Sequence, residues 1–549
     1  MSDTITSTDK SRDLTEGSIA KTMLLFALPT LGSSALQSLN GSINAVWVGR
    51  FLGEEALAAT ANGNILMFIM ISFVFGFGMA ATIFIGQAMG QNDEALAATA
   101  NGNILMFIMI SFVFGFGMAA TIFIGQAMGQ NDDVKVKRTM GTALGSIIPI
   151  SILLSAIGWI FAPTLLDLLG TPPTAFELAL TYLRMIFIAM PVTLTFTLMM
   201  MALRGTGDST TPLWFIAMSV VIDLILTPTL ILGLGPFPEW GIFGSAVATA
   251  VANTLALIGM VVTMYWRGSV LTLSMPELRF LRADLGILKS MFSKGLPMGL
   301  QMIVISTAAL TMLSLINREG VQTTAAYSAT QQLWTYVQMP AMALSAAASA
   351  MVAQNIGANQ WSRVAGITRW GLIFNVILTG TMIGILTIFD KTILSLFLGS
   401  DSAAVPVGRH IQTMATWGFL FFGIAQVFFG TMRANGYVIW PLLVMVISMY
   451  PVRLGFAFGM YPLLGADALW LSFPAGMVAT AVMGAGLYLY GGWRKGENLS
   501  KEEAAQGCEG YRAQIGTSAS CRDLAPTTSW KRLPSLSVAS LRQKFQGSD

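Results

Sequence analysis

An acidic residue, Asp223, lies within a long apolar run, SVVIDLILTPTL. A carboxyl group inside a membrane is energetically costly, so its presence there indicates a functional site. Thr227 lies one helical turn further on and on the same face, and Pro228 leaves a backbone carbonyl nearby without its usual helical donor. An oxygen cluster of this kind could exchange a proton or coordinate Na⁺. The other interpretation is structural, with Asp223 acting as a hydrogen-bonding group beside a proline.

Further polar residues could assist this carboxylate or contact a substrate. Oxygen or hydrogen-bond partners for Asp223 could come from Ser219, Thr249 and Asn253. Candidates for a substrate cleft lie in other apolar segments: Gln37, Gln301, Gln426 and Arg453. The guanidinium group of Arg453 could bind an anionic part of a substrate, or it could have a structural, pairing role.

The segments that carry these residues are strongly apolar. Of the 549 residues, 54% are hydrophobic and 10% are charged, whereas a soluble domain carries about 25% charged residues. Apolar runs of about 20 residues recur along most of the chain, which predicts an all-α polytopic membrane protein. The net charge of +3 is small and does not indicate nucleic-acid binding.

Two cysteines in the tail, Cys508 and Cys521, and a distant His410 do not form a metal set. The sequence contains no nucleotide-binding loop and no enzymatic constellation. We therefore expect a protein that is not an enzyme and needs no cofactor, with an ion gradient as the source of energy.

Internal repetition defines the architecture. The motif GQAMGQND occurs twice unchanged and recurs as AQNIGANQ at residues 353–360. The offset between matching residues falls from 267 (Gly53 and Gly320) to 228 (Gln126 and Gln354). The difference, 39, is the length of segment 55–93, which is repeated without change as 94–132. Matching motifs in the same order predict two six-helix lobes related by a pseudo-two-fold axis along the membrane normal, with one duplicated second-helix segment.

The distribution of basic residues between inner and outer loops predicts that only one copy of the 39-residue segment spans the membrane. With twelve spans and a cytoplasmic N-terminus, most basic residues fall in inner loops: Lys135, Lys137, Arg138, Arg204, Arg267, Arg279, Arg282, Lys289, Lys294, Arg363, Arg369 and Arg433. The outer loops keep Arg50, Arg318, Lys391 and Arg409. A thirteenth span would invert this bias. The extra copy is therefore expected to be displaced, re-entrant or outside the bundle, or to be an artefact of sequence assembly.

The expected organisation has five parts. Residues 1–18 form a cytoplasmic tail, 19–266 the N-lobe with both copies, and 267–294 a basic amphipathic connector. Residues 295–492 form the C-lobe, and 493–549 a disordered cytoplasmic tail rich in Ser, Gln and charge.

Several motifs in order resemble one transporter family. These are VWVGRFLGEEALAAT at 46–60, GQAMGQND, ALRGTGDSTTP at 202–212, GLGPFPEWGIFGSAVATA at 233–250 and GADALWLSFP at 465–474. They resemble the multidrug and toxic compound extrusion (MATE) transporters, over about residues 19–490. The resemblance implies a monomeric multi-pass antiporter of the inner (plasma) membrane that exports organic cations and amphipathic drugs by alternating access, driven by H⁺ or Na⁺.

The resemblance also places Asn44 where many relatives carry an acidic residue in the first helix. Because Asn cannot titrate, a proton site would depend on Asp223, with Asn44 and Thr227 in support. The alternative substrate is an endogenous metabolite or a lipid-linked precursor, since the wider superfamily shares this architecture. A membrane scaffold or a channel fits the helix count but does not account for the repeated lobes with a buried acid.

Overall fold

The structure, a computed structural model, describes residues 13–37, 115–168, 173–235, 238–398 and 403–494. These residues form helices joined by short turns, with no β-strand among them. The helices of the first half are α1 (Ile19–Gln37), α2 (Gly115–Gly129), α3 (Asp133–Leu168), α4 (Pro173–Gly205), α5 (Thr210–Leu232) and α6 (Gly241–Trp266). A 3₁₀ turn, Met275–Leu281, follows.

Within the described residues, the second half contains nine α-helices after this turn. They are α7 (Leu285–Ile316), α8 (Val321–Gly357), α9 (Trp361–Ile388), α10 (Asp390–Leu398), α11 (Ala404–Ala415), α12 (Gly418–Ala434), α13 (Ile439–Ile447), α14 (Gly455–Leu464) and α15 (Asp467–Tyr490). A short 3₁₀ turn joins α7 to α8, and a π-helical stretch, Ser448–Leu454, joins α13 to α14.

Length and hydropathy match the expected twelve spans. Ten helices within the described ranges are long and apolar enough to cross a membrane, counting α13 to α14 as one. The pair α11 and α12, bent by 46°, makes an eleventh. The described part of α2 is a shorter apolar helix in the position of the second span. The prediction of an all-α membrane protein with two six-helix lobes is confirmed.

Polar residues set the beginnings of two helices. The carboxylate of Asp284 accepts hydrogen bonds from the backbone N–H groups of Gly286 and Ile287, so α7 begins at Leu285. This start lies inside the segment 267–294 that was predicted to be a connector, and the end of that segment is therefore part of a membrane helix. Asp208 caps α5 in the same way through the N–H groups of Thr210 and Thr211.

The two lobes exchange the beginnings of their first helices. Met23 and Phe26 of α1 are buried in an apolar cluster built mainly from α8, α9, α12 and α15 of the C-lobe. Met291 of α7 is buried in the corresponding cluster of α2, α3, α4 and α6 in the N-lobe. Later residues return to their own lobe, as Leu36 does in α1 and Met312 in α7. The apolar cores therefore link the lobes at the end where α1 and α7 begin.

The second of the two 39-residue copies contributes to the bundle. Its final part forms α2, which packs so closely on α7 that a side chain at Gly115 would overlap the backbone of Gly295. The first copy, at 55–93, lies outside the described residues. The prediction that only one copy spans the membrane therefore stays a prediction.

Candidate functional site

A cavity of about 380 Å³ lies between the lobes. Helices α1, α2 and α4 line it from one lobe and α7, α8, α12 and α13 from the other. Its lining includes seven methionines: Met118, Met200, Met201, Met298, Met302, Met342 and Met445. Hydroxyl groups also line it, among them those of Thr121 and Ser349. Flexible thioethers beside hydroxyl groups form an adaptable surface for an amphipathic molecule.

Three of the four predicted cleft residues line this cavity. They are Gln37, Gln301 and Gln426. The fourth, Arg453, is not among the lining residues and is buried within the C-lobe. Its guanidinium carbon lies 3.7 Å from the centre of the Phe473 ring, in a cation–π contact. This contact supports the structural role that the sequence left open for Arg453.

Two arginines, Arg204 and Arg433, also line the cavity. Sequence analysis assigned both to inner loops, and the structure corrects this because α4 and α12 extend through them as far as Gly205 and Ala434. Each arginine lies in the last turn of its helix. They occupy matching positions in the two lobes, 229 residues apart. That match was visible in the sequence and could have identified them as a pair facing the pseudo-symmetry axis.

The guanidinium group of Arg433 is held by neutral acceptors. Its Nε donates to the Phe429 carbonyl at 3.2 Å, and its Nη2 donates to Gln426 Oε1 at 3.0 Å and to Ser345 Oγ at 3.5 Å. Arg433 is 7% exposed. Nε of Arg204 is buried and has no hydrogen-bond acceptor among the described residues.

Two glutamines of the repeated motif close the cavity at the adjoining end, which we call the motif end. Gln126 Nε2 donates to the Ala434 carbonyl at 2.8 Å, and Gln354 Nε2 donates to the Gly205 carbonyl at 3.0 Å. Each acceptor immediately follows a cavity arginine in the opposite lobe. The two hydrogen bonds are therefore related by the same pseudo-symmetry as the lobes.

Asp223 lies in a polar cluster inside the N-lobe and is 2% exposed. Its Oδ1 accepts hydrogen bonds from Thr227 Oγ1 and Thr249 Oγ1, both at 3.1 Å. Next to it, Ser219 Oγ donates to Asn253 Oδ1 at 3.0 Å. The structure thus brings together the carboxylate and all four of its predicted neighbours on α5 and α6. Asp223 is not among the residues that line the cavity between the lobes.

The remaining predicted coupling residue, Asn44, lies outside the described residues. One polar neighbour was missed: Asn253 Nδ2 lies 3.4 Å from Thr193 Oγ1 on α4. This contact extends the Asp223 cluster towards a helix that lines the cavity. Thr193 has no charge and no motif, so its sequence context gave no indication of the role.

Comparison with known proteins identifies the family. The MatE family model matches residues 29–100, 92–229 and 297–458, which is more than half of the chain. The chain belongs to the MATE family. The two N-terminal matches overlap beside the point where the second 39-residue copy begins. As a MATE protein it is a multi-pass membrane transporter and not an enzyme.

Relatives of this MATE protein carry names of two kinds. It is 32% identical over 480 residues to the probable multidrug resistance protein YoeA of Bacillus subtilis, covering 87% of this chain and 95% of that one. It is 29% identical over 244 residues to the FAD transporter of Shewanella oneidensis, covering 44% of this chain and 53% of that one.

Among solved structures, the fold matches that of a multidrug resistance MATE family transporter in an outward-facing conformation. The TM-score is 0.71 at 18% sequence identity, and the match covers 90% of this chain and 100% of that one. At this identity the match describes the fold, and it agrees with the two-lobed arrangement.

Proposed function

We propose that this MATE protein is an antiporter, coupled to H⁺ or Na⁺, that exports amphipathic drugs and other toxic compounds by alternating access. It acts as a monomer in the inner (plasma) membrane. Both termini and the motif end face the cytoplasm. This orientation follows from the positive charge of the connector and of the residues after the motif.

The observation that carries the proposal is the methionine-rich cavity between two repeated lobes. The lobes close it at the motif end through Gln126 and Gln354, with two hydrogen bonds to backbone carbonyls. Such bonds each contribute about 1 kcal/mol, so these two add little to the free-energy cost of separating the lobes at this end. A cavity that opens first to one side and then to the other needs a closure of this kind at each end.

Asp223 is proposed as the coupling group. Its carboxylate is buried among hydroxyl groups and lies apart from the substrate cavity. Exchange of an ion at this site would alter the hydrogen bonds between α5 and α6, and the contact from Asn253 to Thr193 reaches α4, which lines the cavity. Asn44 and Thr227 are proposed to support the ion site.

The family resemblance implied organic cations as substrates. Two guanidinium groups that line the cavity repel a cation. The proposed function therefore names amphipathic compounds and does not specify their charge. Export of an endogenous metabolite or a lipid-linked precursor is the second candidate. It is favoured by the basic lining of the cavity and by the relative that is named an FAD transporter.

The test is transport in proteoliposomes under one imposed gradient at a time, H⁺ or Na⁺. The probes are amphipathic fluorescent dyes, including the cation ethidium. We expect gradient-driven transport of at least one dye and its loss in Asp223→Asn, with exchange of dye between the two sides retained. Asp133→Asn, an exposed residue at the start of α3, is the matched control. Gradient-driven transport by Asp223→Asn would remove Asp223 from the coupling role. If no dye responds to either gradient, ion-coupled export is wrong.

A further inference from the structure

The cavity between the lobes has an unbalanced charge. Arg204 and Arg433 line it, and no aspartate or glutamate is found among its described lining residues. Three other basic residues of the described structure are paired with acids: Lys137 with Glu277, Arg138 with Asp284 and Arg409 with Asp390. The two cavity arginines differ from these three in that no acidic residue lines the cavity with them.

The hydrogen bonds of these arginines leave donors for a ligand. A guanidinium group has five N–H donors. Those of Arg433 bind carbonyl, amide and hydroxyl oxygens and, from Nη1, the Met118 thioether sulfur at 3.9 Å, none of which carries a charge. Nε of Arg204 is buried without an acceptor among the described residues. Arg433 is buried and Arg204 is partly buried. A cation removed from water without a counter-charge is unfavourable, so an anion that enters the cavity gains binding energy from both side chains.

The remaining surface of the cavity indicates what the anion is attached to. The seven methionines favour a large apolar or aromatic body, and a cavity of about 380 Å³ is in the size range of small-molecule sites. Arginine binds carboxylate and phosphate oxygens in a bidentate manner. Because the two arginines lie at matching positions in the lobes, an anion that contacts both joins the lobes near the motif end.

We propose that the substrate of this cavity is an amphipathic organic anion, with a carboxylate or phosphate group that contacts Arg204 and Arg433 and an apolar body among the methionines. This inference rests on the proposed function and names its substrate class. The anionic group of a membrane lipid has the same chemistry, so the experiment has to separate a water-soluble anion from a lipid.

The test uses three ligands that share one aromatic group and differ in charge: pyrenebutyrate (anion), its methyl ester (neutral) and pyrenebutylammonium (cation). Binding to the full chain in nanodiscs of zwitterionic lipid is measured against empty nanodiscs, without an ion gradient. We expect the anion to bind at least about tenfold more tightly than the ester, as charge-assisted hydrogen bonds allow, and the cation to bind most weakly. Equal affinity for anion and ester, or tighter binding of the cation, would overturn the proposal.

Two substitutions assign the preference to residues. Arg204→Gln and Arg433→Gln should each reduce affinity for the anion about tenfold and leave affinity for the ester unchanged. Arg282→Gln removes the same charge from an exposed position in the connector and should change neither. Arg433→Lys keeps the charge if the glutamine variant does not fold, and it should retain a preference for anion over ester. An unchanged anion affinity in both glutamine variants would place the anion elsewhere and refute the assignment.

Two further arms separate the remaining outcomes. Adding phosphatidylglycerol to the nanodiscs should displace pyrenebutyrate if a lipid headgroup occupies the site, and should leave binding unchanged if the ligand is a soluble anion. Binding at equilibrium needs no coupling ion, so the anion preference can fail while gradient-driven transport persists. Conversely, a loss of coupling leaves the equilibrium preference intact. Failure of the charge assignment is thus distinct from failure of ion-coupled export.

Discussion

Gly129 and Gly357 lie at equivalent positions on opposite sides of the lobe interface, and each packs against the other lobe's motif. A Cβ atom on Gly129 would overlap the carbonyl oxygen of Gln354, and one on Gly357 would overlap that of Gln126. These are the same glutamines whose side chains join the lobes. The close backbone contact and the two hydrogen bonds therefore depend on one another, and only glycine permits both.

Alanine at either glycine is expected to open the motif end. Overpacking of this kind costs about 1–3 kcal/mol, which shifts the balance between closed and open states about 5- to 150-fold. Spin labels at Lys135→Cys and Ser362→Cys, with Cys508 and Cys521 replaced by Ser, would report the distance between the lobes. Gly129→Ala and Gly357→Ala should increase the population of the longer distance.

The matched control for these variants is Gly380→Ala. Gly380 lies in α9, and a Cβ atom there would meet no heavy atom within 4 Å. Its distance distribution should equal that of the wild type. If Gly129→Ala and Gly357→Ala also equal the wild type, the glycine contacts do not determine closure.

Loss of the Thr249 hydroxyl should destabilise the Asp223 cluster. Thr249→Val leaves a buried carboxylate without one of its donors, at an expected cost of about 1–3 kcal/mol in the free energy of unfolding. Thr254→Val is the control, because the Thr254 hydroxyl donates only to the Ala250 carbonyl of its own helix in the described structure. Thermal unfolding in detergent should give a lower Tm for Thr249→Val. An equal Tm for both variants would show that the hydroxyl contributes nothing.

The ion pair between Glu277 of the connector and Lys137 of α3 should contribute less stability at low pH. The Ser274 backbone N–H and the Lys137 ammonium group hold the pKa of Glu277 at about 2, below its ordinary 4.5. Because the folded pKa is the lower one, the stabilisation is complete above about pH 4.5 and is lost as the pH falls towards 2. We expect the Tm difference between wild type and Glu277→Gln to shrink over that interval.

The control for this prediction is Glu239→Gln, at an exposed position outside the connector. Its Tm difference from the wild type should stay constant over the same pH range. A Tm difference for Glu277→Gln that is the same at pH 7 and pH 3 would contradict the role assigned to the ion pair.

Deletion of one 39-residue copy should preserve folding and transport. Removal of 55–93 or of 94–132 gives the same shortened chain, because the copies are identical and adjacent. The residues that form α2 are present in that chain and can make the same contacts with Gly295 and Ala434. Thermal unfolding and dye transport should match the full-length protein. Loss of folded protein on deletion would show that the fold requires both copies of the segment.

Much of the fold was predictable because long apolar runs encode the membrane helices and matching motifs in the same order indicate the two lobes. The Asp223 cluster was predictable for a similar reason, since Thr227, Thr249 and Ser219 occur at helical spacing or on the next helix. The ends of helices were less predictable. The positive-charge argument assigned Arg204 and Arg433 to loops. Each of them instead lies in the last turn of a helix and lines the cavity.

Contacts between distant residues could not be read from local patterns. Nothing around Gln126 indicates that its partner is the carbonyl of Ala434, since that contact depends on how two lobes meet. The position of Arg453 outside the cavity also depends on contacts between residues that are distant in the sequence. The sequence around Arg453 gave no indication that its guanidinium group stacks on the Phe473 ring.

The exchange of first helices has a consequence for biogenesis. When the ribosome has completed α6, Met23 and Phe26 still lack the α8, α9 and α12 surfaces that bury them, and the N-terminal half carries the gap that α7 fills with Met291. Neither half can reach its final packing in isolation. Insertion of the nascent chain therefore yields a loosely assembled first half that matures only after the second half has emerged, and separately expressed halves should be stable only when they are produced together.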